Sequence, residues 1–221
     1  SFDGYDRIYR WLITQDSYYN FCISQKDYET YKRDGAVLDK LLVCENGAQH
    51  RDYNFNEVGS KPNKTLYLGK IEPRKRQHVY QVIDSIEFVG HYTDTTSFDK
   101  YKNYLGEWGH KHKLQHVTDY GNMLLLSDGE NGTPLVIKEA LIAGLGVVVS
   151  KYAAHDLDQS LPFVTVIPDD KWNDIEYVER ELIKNREISV TMRKDIRQYG
   201  VDNFSWQKLV KTYVKNIEQM K

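Results

Sequence analysis

Short apolar runs of strand length alternate with segments of helical length along most of this chain. The alternation is most regular between residues 65 and 167. Strands are expected at 65–69 (TLYLG), 86–89 (IEFV), 103–105, 122–126, 146–149 and 163–167 (FVTVI), with helices at 78–84, 111–119 and 134–143 between them. Residues 93–99 read as a polar loop. Strands that alternate with helices make a doubly wound parallel sheet of Rossmann-like type. Upstream, the pattern predicts a helix over 6–13, a strand over 19–24, a polar helix over 25–33 and a strand over 40–44. Polar residues 50–64 read as a linker. Downstream, helices are expected at 174–185, 190–199 and 205–220. The division that follows is 1–56 as a smaller N-terminal part with a linker, and 57–221 as the Rossmann-like domain.

The stretch 121–150 (GNMLLLSDGENGTPLVIKEALIAGLGVVVS) organises the rest. It reads as strand, glycine-bearing loop, helix and strand, a βαβ unit. Thr133 is the expected N-cap, Pro134 suits the first helical position, and Gly144 supplies the stop. Within the helix, Glu139 has Leu135, Val136, Ile142 and Ala143 as its neighbours at helical spacing, and none can pair with a carboxylate. A buried carboxylate needs hydrogen-bond donors. These come either from a cation on another element or from the hydroxyls of a ligand. A helix that begins after a glycine loop also offers free N–H groups and a favourable dipole to an anion. Hydroxyls and an anion together suggest a sugar nucleotide.

Composition narrows the partners. Thirty basic and 32 acidic residues give a net charge of −2, which speaks against a general nucleic-acid binder. No apolar run approaches the ~20 residues of a membrane helix. Cys22 and Cys44 lie in strand-like runs with no metal-ligand spacing, and no Asp-x-Asp motif is present, so neither a disulfide nor a metal centre is expected. Four histidines, His91, His110, His112 and His116, read as surface residues. Ligands of such a sheet bind beyond the carboxyl ends of the strands. Those ends carry Gly69-Lys70, Gly90-His91, Gly106-Glu107-Trp108, Ser127-Asp128 and Ser150-Lys151. Lys70, Arg74, Lys75 and Arg76 form a basic turn there, either a solvated face or a phosphate clamp.

Five segments, in order, resemble a known family. LYLGKIEPRKRQ is similar to the strand–Gly–Arg–…–Lys segment of retaining nucleotide-sugar glycosyltransferases of GT-B architecture, notably glycosyltransferase family 4. NGTPLVIKEALIAGLGVVVS resembles their E-x7-E segment. YLGEW resembles the turn beside their nucleobase, and NFSWQKLVKTYVKNI their C-terminal helix. ISQKDYETYKRDG with KLLVCENGAQ resembles the stretch that joins their two halves. The resemblance spans roughly residues 19–220.

The resemblance implies the donor-binding half of a hexosyltransferase, with 1–56 as a remnant of the acceptor half. Such a piece is expected to be inactive alone. The implied partner is a UDP- or GDP-sugar, passed with retention to an unidentified glycan, lipid or protein acceptor, in glycan or glycoconjugate biosynthesis. Lys70, which stands where the family has arginine, and Lys75 would hold the diphosphate. Glu139 would grip the ribose. Asn131 occupies the first acidic position of E-x7-E, with Glu130 one place before it. The catalytic candidates are therefore Lys70, Lys75, Glu130 and Asn131. Gly69, Gly132, Thr133, Pro134 and Leu135 would line sugar and phosphate, and Glu107 and Trp108 would lie near the base. No cofactor or metal is expected. A cytoplasmic location is expected, with peripheral membrane association through the other half. The departure at Asn131 also admits a non-catalytic nucleotide-binding or scaffolding module with a degenerate site. An epimerase or phosphorylase on the same scaffold is a further alternative.

Overall fold

The structure is a computed structural model and describes residues 3–93 and 97–220. Two parallel sheets are present. The smaller pairs β1 (Asn20–Cys22) with β2 (Leu41–Val43). It is accompanied by α1 (Asp3–Ile13) and α2 (Gln25–Arg33). Ile13, Cys22, Ala36 and Leu41 form its own small core, packed by Tyr9, Tyr28 and Tyr31. Ser24 starts α2 as its N-cap, with its hydroxyl accepting the Asp27 N–H at 3.1 Å.

The larger sheet has five strands: β3 (Lys61–Leu68), β4 (Ile86–Val89), β5 (Tyr120–Leu125), β6 (Gly146–Ser150) and β7 (Val164–Ile167). Their order is β4-β3-β5-β6-β7, all parallel. The order reverses between β3 and β5, which is the switch point where such sheets open a crevice. Helices flank the sheet: α3 (Gln77–Tyr80), α4 (His110–His116), α5 (Leu135–Ile142), α6 (Ile175–Thr191), α7 (Arg193–Phe204) and α8 (Trp206–Glu218). This is the α/β Rossmann-like architecture read from the strand–helix alternation. No helix among the described residues is long and apolar enough to cross a membrane.

β5 and β6 are buried at every position, which explains their unbroken apolar sequence. Asn122 on β5 is the exception, and its amide is fully used. It accepts from the Thr65 hydroxyl at 2.6 Å and donates to Leu182 O and Asn185 Oδ1 at 3.0 Å each. The Asn185 amide in turn donates to Val147 O, Phe163 O and Thr165 Oγ1. This network fastens α6 to β3, β5, β6 and the β7 side of the sheet. The stretch after β2 docks on the C-terminal helices: Ala48 bridges Ser205, and the Tyr213 hydroxyl donates to Cys44 O at 2.8 Å.

Several elements differ from their sequence-based bounds. β3 begins at Lys61 rather than residue 65, because Lys61 pairs with Tyr120 across a register shift. The expected strand at 103–105 is a single bridge, Phe88 to Tyr104. The helix expected at 78–84 is one turn, Gln77–Tyr80, after a 3₁₀ turn at Pro73–Lys75. The helix expected at 111–119 ends at His116 and tightens into 3₁₀ at Val117–Asp119. Val190 belongs to α6, not to the next helix. Of the loop at 93–99, residues 94–96 lie outside the described residues.

Candidate nucleotide-sugar cleft

The β5–α5 loop and the β3–α3 turn meet at the carboxyl ends of their strands. Arg74 Nη1 donates to Asp128 O at 3.2 Å and pairs with Glu130 Oε1 at 3.0 Å. Its Nε pairs with Glu72 at 2.8 Å. Glu130 Oε1 also accepts from Ser127 Oγ at 2.7 Å. Lys70 lies 3.8 Å from Glu72. Beside these groups opens a cleft of ≈ 440 Å³. Its walls are the loop from Asp128 to Leu135, Arg74, Lys138, and two residues of the smaller unit, Ile23 and Asn46. The cleft therefore lies at the carboxyl ends of both parallel sheets.

Lys75 is the unusual cation of this turn. Its ammonium packs on Gly69, where an added Cβ would lie 3.1 Å from Nζ. It makes no ion pair among the described residues. Burial pulls its pKa below the ordinary lysine value, and the nearby Glu130 charge opposes that pull. Arg76 has φ 57, a left-handed conformation that turns the chain out of the 3₁₀ turn. Its guanidinium donates to Asn173, away from the cleft.

The start of α5 differs from expectation. Pro134, not Thr133, is the N-cap, and it has no side-chain cap bond. The physical reason is a reciprocal pair: Thr133 N–H donates to Asp156 Oδ2 at 2.8 Å, and Asp156 N–H donates to Thr133 Oγ1 at 3.1 Å. With its hydroxyl and amide so engaged, Thr133 lies one step outside the helix. The first helical N–H groups, of Leu135 and Val136, have no acceptor among the described residues. Glu139 takes the first of the two kinds of partner expected for it, a cation on another element. Its Oε1 pairs with Lys113 of α4 at 2.6 Å, and its side chain is 7% exposed. Its Oε2 and the hydroxyl of the neighbouring Tyr53 are buried without hydrogen bonds among the described residues. Burial, then the Glu139 charge, push the Tyr53 phenol well up.

The structure thus brings Glu130, Asn131, Gly132, Thr133, Pro134 and Leu135 to one cleft. Gly69, Lys70 and Lys75 stand in the turn beside it. Glu139 lies one helical position behind Lys138, outside the lining. Glu107 and Trp108 are elsewhere. Glu107 pairs with His91 at 2.9 Å on the surface, and Trp108 packs near Tyr120, the first residue of β5. Of the lining residues, sequence reading named Arg74 only within the basic turn and Asp128 only at a strand end, and left out Gly129, Lys138, Ile23 and Asn46 as candidates. Ile23 and Asn46 follow β1 and β2, so the same carboxyl-end rule, applied to the smaller sheet, finds them. Lys138 is a lysine inside an apolar run. Its side chain, 3% exposed, pairs with Glu45 at 2.8 Å and donates to Asn46 O at 3.2 Å. Among the described residues no group of His, Cys, Asp and Glu could hold a metal ion.

No protein-family model matches the chain. No curated protein matches it in sequence. Solved structures do match its fold. TarM superposes with a TM-score of 0.71 at 14% identity, over 97% of this chain and 46% of that one. Anabaena HepE, in complex with UDP-glucose, gives 0.72 at 14% identity, over 97% and 66%. The lipopolysaccharide outer core galactosyltransferase WaaB gives 0.66 at 16% identity, over 92% and 62%. The chain therefore spans between about half and two thirds of the length of these structures. At such identities the likeness speaks to architecture alone: the chain has the fold of part of a GT-B glycosyltransferase.

Proposed function

We propose that this chain binds a nucleotide sugar, a UDP- or GDP-hexose, and belongs to a glycosyltransferase that passes the sugar to an acceptor with retention. The observation that carries the reading is Lys75, a half-buried ammonium with no ion pair among the described residues, beside a cleft at the switch point of the sheet. Burying a cation without a counter-ion is costly. A diphosphate in the cleft would supply that counter-ion. HepE, which was solved with UDP-glucose and with UDP and glucose, has this fold.

In this reading the diphosphate lies between Arg74, Lys75 and the free N–H groups of Leu135 and Val136. Lys70 adds long-range charge from the rim. When the sugar leaves, negative charge grows on the diphosphate, and these fixed donors stabilise it. Side chains and helix N–H groups meet that charge directly. Glu130 holds Arg74 in place, and Asn131, exposed at the cleft wall, meets the sugar hydroxyls as donor and acceptor. Glu139 Oε2 would take a ribose hydroxyl if Lys113 and Tyr53 give way.

Titration calorimetry with UDP, GDP and ADP tests the proposal. UDP or GDP should bind, with ADP as the control, and Lys75→Ala should weaken it by about tenfold or more, the worth of one charge-assisted contact, while the melting temperature does not fall. Absence of binding by both UDP and GDP, or an unchanged affinity in Lys75→Ala, overturns it. Asn131 in place of an acid favours a second reading, a binding module without catalysis. Nucleotide binding with no turnover, in a protein complete in both halves, would select it.

A further inference from the structure

A second cleft of ≈ 280 Å³ lies on the other side of the β3–β5 switch point, near the first residues of both strands. Lys61, Leu105, Trp108, His112, His116, Asp119 and Tyr120 line it. Four of these are aromatic rings in mutual contact. Trp108 meets His112 edge-on at 4.9 Å and Tyr120 at 6.2 Å, and the two histidine rings lie 4.2 Å apart. Leu105 is 43% exposed beside them. The loop that carries Trp108 sits between Gly106, at φ +78, and Gly109.

The charged groups around this wall already have partners. Glu87 Oε2 takes Lys61 Nζ at 2.6 Å and the Tyr120 hydroxyl at 2.5 Å. His116 Nδ1 lies 2.8 Å from Asp119 Oδ2, which leaves Nε2 of that ring on the side away from the carboxylate. Lys61 and Glu87 balance each other and Asp119 is hydrogen-bonded to His116, so no charged group without a partner faces the cleft among the described residues. What remains is an aromatic face, a small apolar patch and a rim of ring nitrogens, an ammonium and a carboxylate with hydrogen-bonding capacity to spare. An uncharged ligand with one C–H-rich face and many hydroxyls complements that set: the C–H face lies on the electron-rich ring, and the hydroxyls bond the rim.

We propose that the Trp108 cleft binds one neutral sugar ring of a saccharide, at a site separate from the nucleotide cleft. The proposal does not rest on the nucleotide reading. Protein NMR titration tests it, with methyl α-glucoside, maltotriose and chitotriose as probes and UDP present at saturating concentration where it binds. At least one probe should shift the Trp108 indole and His112 resonances saturably. Trp108→Ala and His112→Ala, the latter a surface change that cannot disturb the core, should each weaken that probe by about tenfold. UDP affinity should stay unchanged in both, so a failure here is distinct from a failure at the other cleft. No saturable shift with any probe overturns the proposal, as does binding that His112→Ala and Trp108→Ala leave intact. Shifts confined to residues 128–135 overturn it too, since the sugar would then sit in the first cleft.

Discussion

At the scale of residues, the informative fact about Lys75 is what it costs. Its folded pKa is lowered, with burial the largest cause. The folded state therefore holds the proton less tightly than the unfolded chain. The sign follows: stability is lowest where both states carry the charge, and it is regained as the pH rises through the folded pKa toward 10.5. Lys75→Met should accordingly raise stability at pH 7 by about 0.5–2 kcal/mol, the range of a compatible stabilising change. The gain over the parent should shrink as the pH approaches 10.5. The same substitution should reduce the benefit of added nucleotide. Melting curves across pH, with and without UDP, check both halves. A Lys75→Met protein less stable at pH 7 than the parent would mean that the lysine is a structural group. The sequence showed a basic turn at this place, and it could not rank the four cations. Their ranking depends on which acids reach back: Glu72 and Glu130 take Arg74, Asn173 takes Arg76, and Lys75 is left against Gly69. Glu139 shows the same limit. Its need for a partner was legible from its helical neighbours, but Lys113 lies 26 residues away and only the fold brings it to 2.6 Å.

At the scale of elements, α5 is set by close approach on one side and by a loop on the other. Its packing partner α7 comes near enough that a Cβ on Gly200 would lie 2.6 Å from Ile142 N. That neighbour is backbone and cannot move aside. Alanine gains about 1 kcal/mol of helix propensity over glycine, whereas overpacking costs about 1–3 kcal/mol. Gly200→Ala should thus be destabilising by up to about 2 kcal/mol despite the better helix former. Equilibrium denaturation would detect it, and an Ala variant as stable as the parent would mean that α5 and α7 are further apart. Across the sheet, α6 depends on Asn185, whose amide serves three acceptors. Asn185→Leu should cost about 1–3 kcal/mol, because it takes one acceptor from the buried Asn122 amide and a donor from Val147 O, Phe163 O and Thr165 Oγ1. The strand–helix–strand order of this region was readable because each strand is a continuous apolar run. The N-cap of α5 was not, because the residue that claims Thr133 is Asp156, 23 positions onward in the chain.

At the scale of the whole molecule, the nucleotide cleft joins two units with separate cores. One wall is the β5–α5 loop, and the other is Ile23 and Asn46 at the ends of β1 and β2. Between them the Lys138–Glu45 pair runs across the floor. A ligand that fills the cleft touches both units and should tie them together. At 100 times its dissociation constant it should add about 2.7 kcal/mol. For a chain of this size each kcal/mol moves the melting temperature by about 2–4 °C, so a shift of roughly 5–10 °C is expected with the nucleotide that binds. Stabilisation alone does not reveal where the ligand sits, but hydrogen exchange does. If the diphosphate lies at the head of α5 and the rest of the ligand reaches across, protection should rise around Leu135 and Val136 and also around Ile23 and Asn46. Removing the floor with Lys138→Ala should then uncouple the two: protection at α5 stays, and protection at residues 23 and 46 falls. A nucleotide that protects only the α5 side in the parent chain would make the cleft the property of the larger sheet, with the smaller unit merely standing beside it.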